Sequence, residues 1–221
     1  MTRLLVLRPE PGAGATVERA RILGLDAFAV PLFEIESVDW DSPEPDAFDG
    51  LLLTSANAVR FGGQQLQSLR GLRVYAVGEA TAAAAREAGF DVAETGHSGV
   101  DGLLGSIALD LKLLHLCGAD RREPRDAPQS ITSVTVYRSR EIEAPDLPES
   151  AGSVALIHST RAGRRFAEVA RRRDSFAVAA ISQAAAEAAG AGWKSIDVAA
   201  EPTDDALLAL AARLCNKPDP E

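Results

Sequence analysis

One offset, 104 residues, recurs through this chain and constrains what it can fold into. LLLTSANAVR, from Leu51 to Arg60, has the same make-up as ALIHSTRAGR, from Ala155 to Arg164, so Ser55 and Ser159 lie 104 positions apart. YAVGEATAAAA from Tyr75 stands at the same distance from AAISQAAAEAA at Ala179, and VDGLLGSIA from Val100 from DDALLALAA at Asp204. A constant spacing over such a stretch reads as an internal duplication, two copies of one supersecondary layout.

Each copy alternates short apolar runs with helix-like segments. A strand at Leu51–Leu53 or Val154–Ile157 meets a Ser/Thr turn, then a helix at Ala56–Gln67 or Ala162–Arg172. A second strand, Arg73–Val77 or Ala177–Ile181, leads into an alanine-rich helix, Ala80–Ala88 or Ala184–Ala189. A short third strand follows, then a last helix, Val100–Leu109 or Asp204–Cys215. This alternation predicts α/β units with parallel sheets covered on both faces. The amino end adds strands at Arg3–Leu7 and Ala27–Pro31 around a helix at Thr16–Gly24, closed by Gly24. The second copy needs those strands to complete its sheet, whereas the first can use Leu113–Cys117 and Val134–Tyr137. The expectation is therefore two similar parallel-sheet α/β domains. One is discontinuous, 1–36 plus 140–221; the other, 39–137, is inserted into it. Two strands would form the hinge, flanked by Pro43, Pro45, Pro145 and Pro148.

Bulk properties exclude several classes. No apolar run approaches the ~18 residues of a membrane helix, and the start MTRLLVLRPEPG does not read as a signal peptide, so a cytoplasmic protein is expected. Cys117 and Cys215 are too few and too separated for a disulfide framework, and His97, His115 and His158 share no metal-ligand spacing. A net charge of −9 argues against general nucleic-acid binding but leaves room for an anionic small molecule facing local arginines. Gly12 and Gly14 follow a strand without the third glycine of a dinucleotide fingerprint, and no phosphate-loop motif occurs.

Ligands of open α/β sheets bind beyond the carboxyl ends of the strands. The turns there hold Arg8; Thr54, Ser55, Ala56 and Asn57; Gly78 and Thr81; His158, Ser159, Thr160 and Arg161; and Ser182 with Gln183. Two domains facing each other would line a cleft with them. Such turns open helices, so their amides and dipoles suit carboxylates or phosphates, while Ser, Thr and Asn also cap the helices. Arg8, Arg60, Arg121, Arg122, Arg138, Arg161 and Arg164 fall near strand ends, where guanidinium forks suit carboxylates, or are solvated surface charges. GHSGVDG, Gly96 to Gly102, reads as a flexible loop before a helix or a flap over a ligand. Tyr137 ends a strand and either faces the cleft or packs in the core.

Taken together, LLVLRPEPG, GLDAFAVPLFEIE, FDGLLLTSANAVRFG, VYAVGEATAAAAREAGF, LLHLCGADRR, VTVYRS, VALIHSTRAGRRFAEV and EPTDDALLAL resemble the uroporphyrinogen-III synthase family along nearly the whole chain. The resemblance implies two α/β domains with the active site in the interdomain cleft. It also implies a cyclising carbon–oxygen lyase that uses no cofactor. The implied substrate is hydroxymethylbilane, a linear tetrapyrrole rich in carboxylates, closed to uroporphyrinogen III with ring D inverted and water lost. The family's leading acid candidate maps onto Tyr137, a phenol being a weak acid of ordinary pKa about 10. The implied partners are the substrate and, transiently, the preceding and following enzymes of the pathway, with neither nucleic acid nor membrane; a monomer is expected. The family's second-copy turn commonly carries a threonine where this chain has Ser182-Gln183-Ala184-Ala185. That departure leaves open a non-catalytic tetrapyrrole- or anion-binding protein of the same fold. REPRDAPQS, Arg122 to Ser130, replaces a helix with a predicted loop or single turn.

Overall fold

The computed structural model describes residues 2–121, 124, 127–148 and 152–216. The chain runs β1 (Arg3–Val6), α1 (Gly12–Ile22), β2 (Asp26–Ala29), β3 (Phe33–Ser37), β4 (Gly50–Leu53), α2 (Ala56–Phe61), β5 (Arg73–Val77), α3 (Glu79–Glu87), β6 (Val92–Gly96) and α4 (Gly99–Ser106). It continues through β7 (Lys112–Gly118), β8 (Ser130–Glu141), β9 (Ser153–Ile157), α5 (Thr160–Val169), β10 (Phe176–Ala180), α6 (Gln183–Ala189), β11 (Ser195–Val198) and α7 (Asp204–Cys215). It divides into two compact units, Met1–Glu34 with Glu141–Glu221, and Ile35–Arg140.

The first unit holds a five-stranded sheet in the order β11-β10-β9-β1-β2, every neighbouring pair parallel. Successive residues of a strand point to opposite faces, and the apolar runs serve both. Leu4, Val6, Val154 and Leu156 pack with Ala13, Val17 and Ala20 of α1 and with the leucines of α7. Leu5, Leu7, Ala155 and Ile157 pack on the other face with Phe166 of α5 and the alanines of α6. β9 is buried at every position, as a central parallel strand requires.

The second unit's sheet has the order β3-β8-β7-β4-β5-β6. From β8 to β6 the neighbours are parallel. The edge strand β3 runs antiparallel to β8: Val38 N–H donates to Val136 O at 3.0 Å, and Ile142 N–H to Leu32 O at 3.0 Å. The chain passes between units inside these two strands. α2 and α3 contribute to a core on one face with Leu51 and Leu53, and α4 to a smaller one on the other with Leu52 and Leu113.

Several predicted bounds move. The helix expected over Ala56–Gln67 stops at Phe61, because Gly62-Gly63 is a poor helix continuation, and a 3-10 turn covers Gln64–Leu69. The amino-terminal helix starts at Gly12, not Thr16, and closes with Gly24 at φ +76° and a Leu25 N–H to Ala20 O bond of 3.1 Å. Gly96 to Gly102 is not a flexible loop: Gly96 ends β6, and Gly99 already opens α4. Within Arg122 to Ser130, residues 122, 123, 125 and 126 lie outside the described residues, and Ser130 already opens β8.

α5 and α6 touch backbone to backbone at Gly163. A Cβ there would stand 2.6 Å from Ala185 O and 3.0 Å from Ala189 N, atoms that cannot swing aside. Gly163→Ala is expected to cost about 1–3 kcal/mol of stability despite alanine's better helix propensity. Urea unfolding checks this; unchanged stability would mean the two helices slide apart without loss.

Candidate functional site

Each sheet has one point where the strand order reverses, and ligands of open α/β sheets bind in the crevice outside it. In the first unit the chain leaves β1 toward β2 over one face, by α1, and leaves β9 toward β10 over the other, by α5. Arg8 follows β1 and His158 follows β9, so both stand at this reversal. In the second unit the reversal lies between β4 and β7, with Thr54 after the first and Gly118 ending the second.

At the first reversal a carboxylate gathers four side chains from three elements or their ends. Asp204, the first residue of α7, takes Arg8 Nη1 at 3.3 Å, Thr16 Oγ1 at 3.0 Å, Arg19 Nη1 at 3.0 Å and His158 Nε2 at 3.1 Å. The His158 contact lies off the line a hydrogen bond prefers. Arg19 also reaches Asp205. The neighbouring His158 imidazole most of all, then Thr16 and Arg8, hold the Asp204 carboxyl down to about 2 from 3.8, against the opposing effect of burial. A carboxyl depressed by folding stabilises the fold at every pH above its unfolded value. Asp204 should thus contribute about 1–2 kcal/mol above pH 4, lost as pH falls from about 4 to about 2. Acid titration of stability in wild type against Asp204→Asn checks this. If both lose stability equally over that range, the contribution is absent.

The second unit carries a different arrangement at its reversal. His115, fully buried on β7, meets Thr54 Oγ1 through Nε2 at 3.1 Å and Ser133 Oγ through Nδ1 at 3.3 Å. The Thr54 hydroxyl is therefore held from within the sheet. Tyr137, half-buried on β8, lies level with Gly118 at the carboxyl end of β7. Its ring rests against Gly118, where a Cβ would come within 2.7 Å of Cε2 and Cζ, and stands 6.4 Å from the Phe61 ring. Among the described residues, no side-chain hydrogen bond engages its hydroxyl.

The serine turns cap as well as face outward. Ser55 accepts from Asn57 N–H at 3.2 Å, Ser159 from Ala162 N–H at 3.1 Å and Ser182 from Ala185 N–H at 3.3 Å. α3 begins after Gly78 with no side-chain cap, so its first amides keep their donors. α2 and α6 are short, which limits their dipoles. Three sequence-predicted residues do not present their side chains as expected. Ala56 is 8% exposed and Thr81 5%, both turned into the core. The Gln183 amide is engaged by Glu187 at 3.0 Å, one helical turn on. Thr160 is exposed, and Arg161 lies over the Phe33 ring at 4.5 Å. Arg138 pairs with Glu36.

Sequence reasoning gave no role to Asp204, Thr16, Arg19 or His115. The one signal for Asp204 was the repeat itself, which sets a carboxylate where the first copy has Val100. Among the described residues no group of His, Cys, Asp and Glu could hold a metal ion.

The sequence profile of the family described as "Uroporphyrinogen-III synthase HemD" matches residues 14–209. A uroporphyrinogen-III synthase of Chlorobaculum parvum is 33% identical over 90 residues, and that stretch covers 37% of this chain and 37% of the relative's length. The uroporphyrinogen-III synthetase structure from Helicobacter pylori 26695 superposes with a TM-score of 0.70 at 17% identity, covering 97% of this chain and 100% of the other. A mutant uroporphyrinogen III synthase from Thermus thermophilus gives 0.50 at 16% identity, covering 98% and 100%. At such identities the structural likeness speaks for the fold.

Proposed function

Because this chain belongs to the uroporphyrinogen-III synthase family, we propose that it closes hydroxymethylbilane to uroporphyrinogen III, inverting ring D and releasing water. The observation that carries this reading is the family match over residues 14–209, which takes in both copies of the repeat and both reversal points. The terminal hydroxyl leaves as water after taking a proton, and the substituted carbon of ring D attacks the methylene carbon of the resulting azafulvene cation. The spiro intermediate fragments and recombines, and loss of a ring proton restores the count.

We assign the proton donor to Tyr137, whose hydroxyl stands at the carboxyl end of the second unit's sheet without a side-chain partner among the described residues. Carboxylates of the substrate fall to Arg8, to the amides that open α3 and α5, and to the turns at Thr54–Asn57 and Ser182. A protein of net charge −9 repels a polyanion at long range, so local donors and arginines must offset that field at short range. Positional control then dominates: the chain must stay curled while ring D turns over, which is what fixed amides supply. On the same reading the protein works as a cytoplasmic monomer in transient contact with the enzymes before and after it.

Fresh hydroxymethylbilane, oxidation of the product and chromatographic separation of the uroporphyrin isomers test the activity. Predominantly isomer III is expected. Isomer I alone, formed at the rate seen without protein, would overturn it.

A further inference from the structure

We propose that Asp204 is a positioning residue for the reaction, fixing the Arg8 guanidinium at the β1/β9 reversal so that its remaining N–H groups receive a substrate carboxylate. The inference rests on the reading that Arg8 meets the substrate.

An arginine just past a strand end is otherwise a long side chain with many rotamers, and ordering it at the moment of binding weakens affinity. Here two features order it beforehand. Nη1 donates to Asp204 Oδ1 at 3.3 Å, and the guanidinium lies against the first residue of α1, where a Cβ on Gly12 would come 2.7 Å from Nε and 2.9 Å from Cζ. Asp204 does not drift with Arg8, because its other oxygen is held at 3.0 Å by both Thr16 and Arg19. The backbone beneath it is fixed as well: Thr203 caps α7 by accepting from Ala206 N–H at 3.3 Å. His158, with 8% of its side chain exposed, closes the buried side. The side chain of Arg8 keeps 36% exposure, and one contact leaves most of its five N–H donors unused. A guanidinium docked on a carboxylate at a sheet reversal, with part of its side chain still exposed, is preorganised for a second carboxylate.

The test reads KM against kcat for hydroxymethylbilane. Asp204→Asn keeps the shape and removes the charge; it should raise KM about tenfold with kcat within about twofold, as loss of uniform binding does. Asp204→Glu should recover most of that loss. Gly12→Ala is the separating variant, because it displaces the Arg8 guanidinium while leaving the Thr16, Arg19 and His158 contacts of Asp204 in place. It should raise KM similarly with a melting temperature at or above wild type, since alanine suits a helix better than glycine. An unchanged KM in both Asp204→Asn and Gly12→Ala, with only the melting temperature of the former lowered, would reduce Asp204 to a structural tie and overturn the proposal. Unchanged KM in Arg8→Ala, with wild type making isomer III, would overturn the Arg8 contact and this proposal with it but leave the activity standing.

Discussion

Tyr137→Phe is expected to lower kcat for isomer III about 100-fold, the low end of what a positioned general acid supplies, with KM and stability near wild type. The ring keeps its seat: it packs on Gly118 and beside Phe61, and the backbone bond from Ala119 N–H to Tyr137 O, 2.9 Å, is untouched. Because no side-chain hydrogen bond among the described residues uses the hydroxyl, removing it strips nothing from the fold, and the change isolates the proton. The departing hydroxide becomes water, a far weaker acid than a phenol, so the transfer runs downhill once the C–O bond has begun to break. Slower enzymatic closure also lets the spontaneous reaction compete, so isomer I should rise as isomer III falls. Full activity in Tyr137→Phe would sink the acid role and leave departure of the hydroxyl to the pyrrole's own electron push, assisted only by fixed amides.

What could be read in the sequence was whatever repeats or alternates locally. The 104-residue offset located β4, α2, β5 and α3 opposite β9, α5, β10 and α6, because each pair shares an apolar strand followed by a small-residue turn and a helix, with serine in both copies only at Ser55 and Ser159. Strand ends were legible for the same reason, and with them Ser55, Ser159 and Ser182 as caps. The inward turn of the Thr81 side chain was not legible, because position alone does not say which side of a helix faces the sheet. The Asp204 cluster was out of reach: Arg8 and Asp204 are separated by 196 positions, and only the β1/β9 pairing brings their surroundings together. His115 showed only a lack of metal-ligand spacing to the other histidines. A buried imidazole needs partners for both nitrogens, and Thr54 and Ser133 lie on neighbouring elements that spacing does not connect. The two copies have also diverged where it matters for chemistry. Thr54 and His158 occupy the same repeat position, one held by a histidine beneath it and the other by an aspartate beside it.

Phe166→Ala is expected to destabilise the first unit by about 3–5 kcal/mol, a large part of the ~5–15 kcal/mol that holds a domain together. Phe166 is fully buried on α5, stacked on Trp193 with ring centroids 4.7 Å apart and edge-on to Phe176 at 5.3 Å. Truncation would leave a cavity walled by two rings that cannot close over it without moving α5, whose amino end carries Ser159. The second unit is built on its own core, around Leu51, Val74, Leu114 and Trp40, and none of those side chains meets Phe166. The chain's two tryptophans divide between the units, Trp193 in one and Trp40 in the other. In a Trp193→Phe background the remaining fluorescence reports Trp40, which is nearly buried and donates to Gly62 O at 2.9 Å. Urea titration by circular dichroism should then show an early transition in Phe166→Ala while the Trp40 signal keeps its midpoint. An inserted segment that closes its own sheet can hold while the discontinuous unit around it melts, because its strands β4 to β8 are contiguous in the chain. Equal shifts of both signals would mean instead that the units unfold as one cooperative block and that the cavity's cost is shared across all 221 residues.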